Sequence, residues 1–176
     1  MLKKILLILA AIIVVFLSAT AFQPADFRIT RKAVIPASPA AVFAQINDFH
    51  NWQAWSPWAK LDPNAKNSFD GPASGVGSKF SWSGNSEVGE GSMKITASKP
   101  DESVVMDLVF TKPFAATNLT EFTMKPEGSG TEVTWSMSGK NNFVGKAIGL
   151  VINCDKMIGT KFEEGFAKLK GVVAKP

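Results

Sequence analysis

The chain has 176 residues, 45% apolar and 19% charged, enough for one packed domain behind a leader and too apolar for a disordered segment. Of its 19 basic residues two, Lys3 and Lys4, fall in the leader, leaving 17 scattered along the rest against 15 acidic ones; that balance excludes the basic footprint of a nucleic-acid binder. The single cysteine, Cys154, excludes an internal disulfide, and the single histidine, His50, excludes mechanisms and metal sites that need two.

The first element is the leader, residues 1–22. Lys3-Lys4 precedes an apolar run from Ile5 to Leu17, and no charge appears before Asp26. This is a positive n-region followed by an h-region, and Ala19-Thr20-Ala21 fits a small-x-small cleavage site. The uncharged run also approaches the roughly 20 residues of a spanning helix. A cleaved signal peptide and a retained anchor both remain open. Both place the following domain on the far side of the membrane, because Lys3 and Lys4 favour the cytoplasm.

The domain is expected over residues 26–174. Asp26 to Ile35 alternates, with Phe27, Ile29, Ala33 and Ile35 on one side, and reads as a strand. Ser38-Pro39 supplies an N-cap and an N1 proline, so a helix begins there with Val42, Phe43 and Ile46 on its apolar face. Trp52, Trp55 and Trp58 recur every three residues, which predicts a helical stripe within residues 49–58. Asp62 to Gly77 is turn-rich and reads as a loop with a short strand near Phe69.

Five alternating strands follow, over residues 77–83, 90–98, 103–111, 115–125 and 131–139. Their apolar faces carry Phe80 and Trp82; Met93 and Ile95; Val104, Met106, Leu108 and Phe110; Phe122 and Met124; and Val133, Trp135 and Met137. Short Gly-, Pro- and Asn-containing breaks between them favour antiparallel neighbours. From Phe143 to Val173 the apolar spacing becomes helical, through Ile148, Val151, Ile158, Phe162, Phe166 and Leu169. Gly149 marks a weak point in that helix. The expected fold class is α+β: a curved antiparallel sheet wrapped around a long C-terminal helix, with two short helices after the first strand.

Several segments resemble the START/Bet v1-like (SRPBCC) superfamily, specifically its polyketide cyclase/dehydrase and lipid-transport branch. They are Ile35-Pro36-Ala37-Ser38-Pro39-Ala40-Ala41-Val42-Phe43, Asn47-Asp48-Phe49-His50-Asn51-Trp52-Gln53-Ala54-Trp55-Ser56-Pro57-Trp58, Gly71-Pro72-Ala73-Ser74-Gly75-Val76-Gly77, and Asp155-Lys156-Met157-Ile158-Gly159 with Phe162-Glu163. The resemblance spans about Phe27 to Val173. It implies a helix-grip fold with a hydrophobic cavity, and it brings no fixed catalytic motif.

The residues expected to line that cavity are Trp52, Trp55, Trp82, Met93, Phe110, Phe122, Met124, Trp135, Met137, Ile158 and Phe162. Their excess of Trp and Met suits an adaptable apolar pocket. The same residues also suit an ordinary core. No catalytic residue is assigned, and neither a metal nor a cofactor is expected. Glu87, Glu90, Asn118 and Glu121 are the polar candidates near the sheet, and most are expected to be solvated. Asn118-Leu119-Thr120 matches a glycosylation sequon, a triplet common by chance. His50, at a helix start, is expected on the surface.

The expected partners are a hydrophobic small molecule or lipid, and a membrane through the leader. The function read from these features is binding or carriage of that molecule on the outer side of the membrane. The alternatives are a cyclase-like enzyme acting in the same cavity, and a ligand-free envelope protein with a filled core.

Overall fold

Alternating residues form seven strands in the computed structural model, which describes residues 1–174. In chain order the elements are helix α1 (Leu2–Phe22), strand β1 (Asp26–Ile35), helices α2 (Pro39–Ile46) and α3 (Trp52–Trp55), strands β2 (Lys66–Asp70), β3 (Lys79–Ser83), β4 (Glu90–Lys99), β5 (Ser103–Lys112), β6 (Ala116–Glu127) and β7 (Gly130–Lys140), and helices α4 (Phe143–Val151) and α5 (Cys154–Val173). The sheet runs β1-β7-β6-β5-β4-β3-β2 and is antiparallel throughout. The chain therefore lays its first strand beside its last, and α5 closes over the inner face. This is the expected α+β helix-grip architecture.

The local signals act where the sequence places them. The Ser38 hydroxyl accepts from the Ala41 amide at 3.3 Å, and Pro39 opens α2. Val42 and Ile46 are buried. The tryptophan stripe makes only one helical turn, Trp52–Trp55, and Trp58 lies in the turn beyond it, because Ser56-Pro57 stops the helix. The strand near Phe69 pairs with β3 as the outermost strand of the sheet.

Two features differ from the expectation. The C-terminal helix is not continuous. Ile152 is extended, and the Asn153 side chain accepts from the Lys156 amide at 2.9 Å, so α5 starts afresh with its own cap. Asp155 in its first turn adds favourable charge at that end.

Arg31 lies on the inward parity of β1, among Phe27, Ile29, Ala33 and Ile35. Its guanidinium reaches α5 and pairs with Asp155 and Glu163, each at 2.9 Å. Gly159 leaves the space between them: a Cβ there would collide with the guanidinium. The two carboxylates flank the glycine at four-residue spacing, one turn to either side. This clamp fixes α5 against the first edge of the sheet.

The core is dense at one end. Ile35, Val42, Ile46, Phe49, Trp55, Ile95, Val104, Met106, Phe122, Met124 and Val133 are all buried there, where α2 lies across β5, β6 and β7.

Candidate functional site

Along the inner faces of β1, β4, β5, β6 and β7, one end is packed and the other is hollow. On β6 the inward series is Asn118, Thr120, Phe122 and Met124; the first two face an open space and the last two are core. On β5 the run reverses, with Val104 and Met106 packed and Leu108 and Phe110 facing the space. Phe80 and Trp82 on β3, Met93 on β4, Trp135 and Met137 on β7, and Phe27 and Ile29 on β1 complete the walls. Ile158 and Phe162 of α5 and Val144, Ile148 and Leu150 of α4 form the roof. The space measures about 900 Å³, at the upper end of what small-molecule sites occupy, roughly 300–1,000 Å³.

Eight of the eleven residues expected on the wall are there: Trp52, Trp82, Met93, Phe110, Trp135, Met137, Ile158 and Phe162. Trp55, Phe122 and Met124 are not. They share the inward direction but belong to the packed end, where α2 and α3 fill the sheet's concavity. Phe122 is fully buried, with ring centroids of Trp52, Trp55 and Trp135 at 5.8, 6.2 and 4.7 Å. Trp55 donates from Nε1 to the Gln45 carbonyl at 3.3 Å, which ties it to the end of α2.

Trp135 sits at the junction of the two zones. Its ring stacks on Phe162 at 4.1 Å with planes 9° apart, and lies against Phe122 on β6. The indole N–H groups of Trp52 and Trp82 find the carbonyls of Ile46 and Val88 at 2.9 Å each. Trp135 Nε1 is buried and has no partner among the described residues.

The polar candidates separate cleanly. Glu121 is on the outer face of β6 and pairs with Arg28 at 3.2 Å. Glu90 accepts from Lys112 at 2.9 Å and from Ser83 at 3.0 Å, and these bonds, the lysine's first, hold its carboxyl below the usual range. Neither reaches the cavity wall, so the two carboxylates that a cavity-based acid or base would call on first lie elsewhere. Glu87, Asp62 and Asp155 do border the cavity. Asp62 is engaged by the amides of Asn64 and Asn85, and Asp155 by Arg31. His50 is exposed, bonded through Nδ1 to Asp48 at 2.8 Å and stacked on Phe69.

Asn118 is the exception to the expected solvation. It points inward and is 8% exposed, so its sequon is not presented on the surface of the folded domain. Thr120, two residues on, is 3% exposed on the same wall. The parity of β6 already puts both on the face of Phe122 and Met124, and that was the available signal: polar residues on an otherwise apolar strand face.

At the mouth, α4 lies against α1. Ile12, Val15 and Phe16 of α1 and Leu150 and Val151 of α4 form a shallow apolar groove. The 21 residues of α1 are almost wholly exposed and long enough to cross a membrane.

No curated protein matches the chain in sequence. Solved structures match its fold. Protein CV1439 from Chromobacterium violaceum is 15% identical, with a TM-score of 0.61 over 88% of this chain and 100% of that one. Mll3558 from Rhizobium loti is 22% identical, with a TM-score of 0.60 over 83% and 99%. Ara h 8.0201 is 13% identical, with a TM-score of 0.61 over 86% and 99%. The family model described as polyketide cyclase / dehydrase and lipid transport matches residues 26–174, the whole sheet and the helices that grip it. With that match the chain belongs to the polyketide cyclase/dehydrase and lipid transport family.

Proposed function

We propose that the domain binds and carries a hydrophobic small molecule, lipid or polyketide-like, in the cavity between the sheet and α4–α5, on the outer side of a membrane to which α1 attaches it. The observation that carries this reading is the cavity itself: about 900 Å³, open at its mouth, with walls dominated by Phe, Trp, Met, Leu and Ile side chains, at the end of a domain whose other end is solidly packed. Burying an apolar ligand there removes apolar surface on both sides from water, worth about 25 cal/mol per Å². Family membership supports the same class of ligand.

The leader supports the location. At about 1.5 Å per residue α1 reaches roughly the 30 Å of a bilayer core, and Lys3 and Lys4 precede it on the side that favours the cytoplasm. Because α4 both roofs the cavity and touches α1, a retained α1 puts the cavity mouth close to the bilayer.

Native mass spectrometry and organic extraction of the chain purified from cells test the ligand. A copurifying apolar molecule in stoichiometric amount is expected, and an empty chain that also fails to take up an apolar fluorophore refutes the carrier. Alkaline phosphatase fused after Pro176 tests the side: activity in whole cells is expected, and an inactive full-length fusion refutes export.

A further inference from the structure

We propose that the cavity selects an otherwise apolar ligand bearing a neutral hydrogen-bonding group, a carbonyl or hydroxyl, which docks on the Asn118 carboxamide and the Thr120 hydroxyl. The proposal rests on the reading of the cavity as a hydrophobic ligand site.

The two side chains occupy consecutive inward positions on β6, roughly 6.6 Å apart along the strand, so both reach one functional group placed between them. They are among the few polar residues buried in the domain, and both border the cavity. Among the described residues neither side chain makes a hydrogen bond to the protein, whereas the equally buried Thr131 donates to the Ala37 carbonyl and Ser136 accepts from Arg28. Their cross-strand neighbours offer nothing polar. Asn118 stands opposite Leu108 and Gly139, and Thr120 opposite Met106 and Met137. The carboxamide lies over Gly139, in the space a Cβ would take, and is thereby held on the inner face.

Polar groups buried without partners are costly and are ordinarily satisfied. The polar atoms of Asn118 and Thr120 open onto the ligand-sized apolar space and are not sealed inside the protein. An apolar ligand that displaces water from that space leaves them unpaired unless it carries a group that bonds to them. A site built around a substrate's polar group also rejects the analogue lacking it, because its own groups are then left unpaired.

Charge settles the type of group. The cations that border the cavity sit at its rim and are directed elsewhere: Arg28 to Glu121 and Ser136, and Lys140, largely exposed, towards Asp26. Arg31 is spent on Asp155 and Glu163. A carboxylate beside Asn118 would be desolvated with no opposite charge, so the wall suits a ketone, ester or alcohol.

The test uses the full chain in amphipol, which has no tryptophan. Energy transfer from the wall tryptophans to N-phenyl-1-naphthylamine reports probe inside the domain, and displacement by dodecane, 2-dodecanone, 1-dodecanol and dodecanoate gives relative affinities. The ketone and alcohol are expected to bind about three- to tenfold more tightly than the alkane, and dodecanoate at pH 7 more weakly than the ketone. Asn118→Leu and the isosteric Thr120→Val should each erode the preference, weakening the ketone and the alcohol relative to dodecane. Neither should lower the melting temperature, since neither side chain has a hydrogen-bond partner among the described residues.

Equal affinity for ketone and alkane overturns the proposal while leaving the cavity reading standing. So does tightest binding by dodecanoate, or a preference that survives both variants. A drop in melting temperature in both variants assigns the pair a structural role and overturns it too. Absence of energy transfer in the unmutated chain removes the cavity reading, and the proposal with it.

Discussion

Truncating Phe122 and truncating Phe110 should have very different consequences, although both point inward from neighbouring strands. Phe122 is fully buried and touches three tryptophan rings. Removing it forfeits its transfer energy and opens a void among side chains that cannot close in, so Phe122→Ala should cost about 3–5 kcal/mol, towards the upper figure because each aromatic pair adds about 0.5–1.5 kcal/mol. Phe110 is half-buried on the cavity wall, and Trp82 at 5.7 Å is its ring partner. Full burial of a Phe is worth about 1.5–3 kcal/mol, so half of that is about 1–1.5 kcal/mol. No new void term arises, because the space beside it is already empty. Phe110→Ala should therefore cost less than about 2 kcal/mol. At about 2–4 °C per kcal/mol for a domain of this size the two variants should differ by several degrees. Urea and thermal melts of the full chain in a non-ionic detergent, followed by tryptophan fluorescence, measure both. Equal penalties within 1 kcal/mol would refute the division of the interior into a packed and a hollow end.

Two glycines of α5 should respond with opposite signs. A Cβ on Gly165 would stand 2.8 Å from Trp135 and 3.2 Å from Pro57, so Gly165→Ala should destabilise by about 1–3 kcal/mol; at Gly171 nothing lies within 4 Å, and alanine there should be neutral or stabilise by up to about 1 kcal/mol, both read from melts. The Arg31 clamp predicts a pH dependence. The hydrogen bond from Arg31, and then its charge, hold the Asp155 carboxyl below its ordinary value. A depressed carboxylate contributes stability above its unfolded pKa of about 3.9 and loses it as pH falls through the folded value. The melting-temperature difference between the unmutated chain and Asp155→Asn should therefore be constant above about pH 5 and close below about pH 4; a difference indifferent to pH would break the assignment. Finally, the full chain should sediment with membranes and be released by detergent and not by salt. A chain lacking residues 1–22 should be soluble with a nearly unchanged melt, because α1 packs chiefly on α4. Release by salt, or loss of folding without α1, would count against the anchor.

Much of the fold was legible because its determinants are local. A strand alternates with period two, so the inward parity of Phe80, Met93, Leu108, Phe122 and Trp135 could be read directly. Ser38-Pro39 announced the start of α2, and the change to helical spacing after Phe143 announced the cover. The helix break was less legible, since Asn153 becomes a cap only when Ile152 is held extended. The clamp was missed because Arg31 breaks the apolar alternation of β1, and its two partners come from the other end of the chain.

Local periodicity sets which way each strand residue faces and shows that one long apolar surface needs a cover. How far along each strand the interior is filled is a matter of tertiary packing. Alternation carries direction without depth, and depth depends on where α2 and α3 come to rest. They lie over the Phe122 and Met124 end of β6 and fill it. Among the described residues nothing comparable fills the Asn118 and Thr120 end beneath α4. Two residues on one strand face, four positions apart, thus become a core phenylalanine and a buried amide looking into open space.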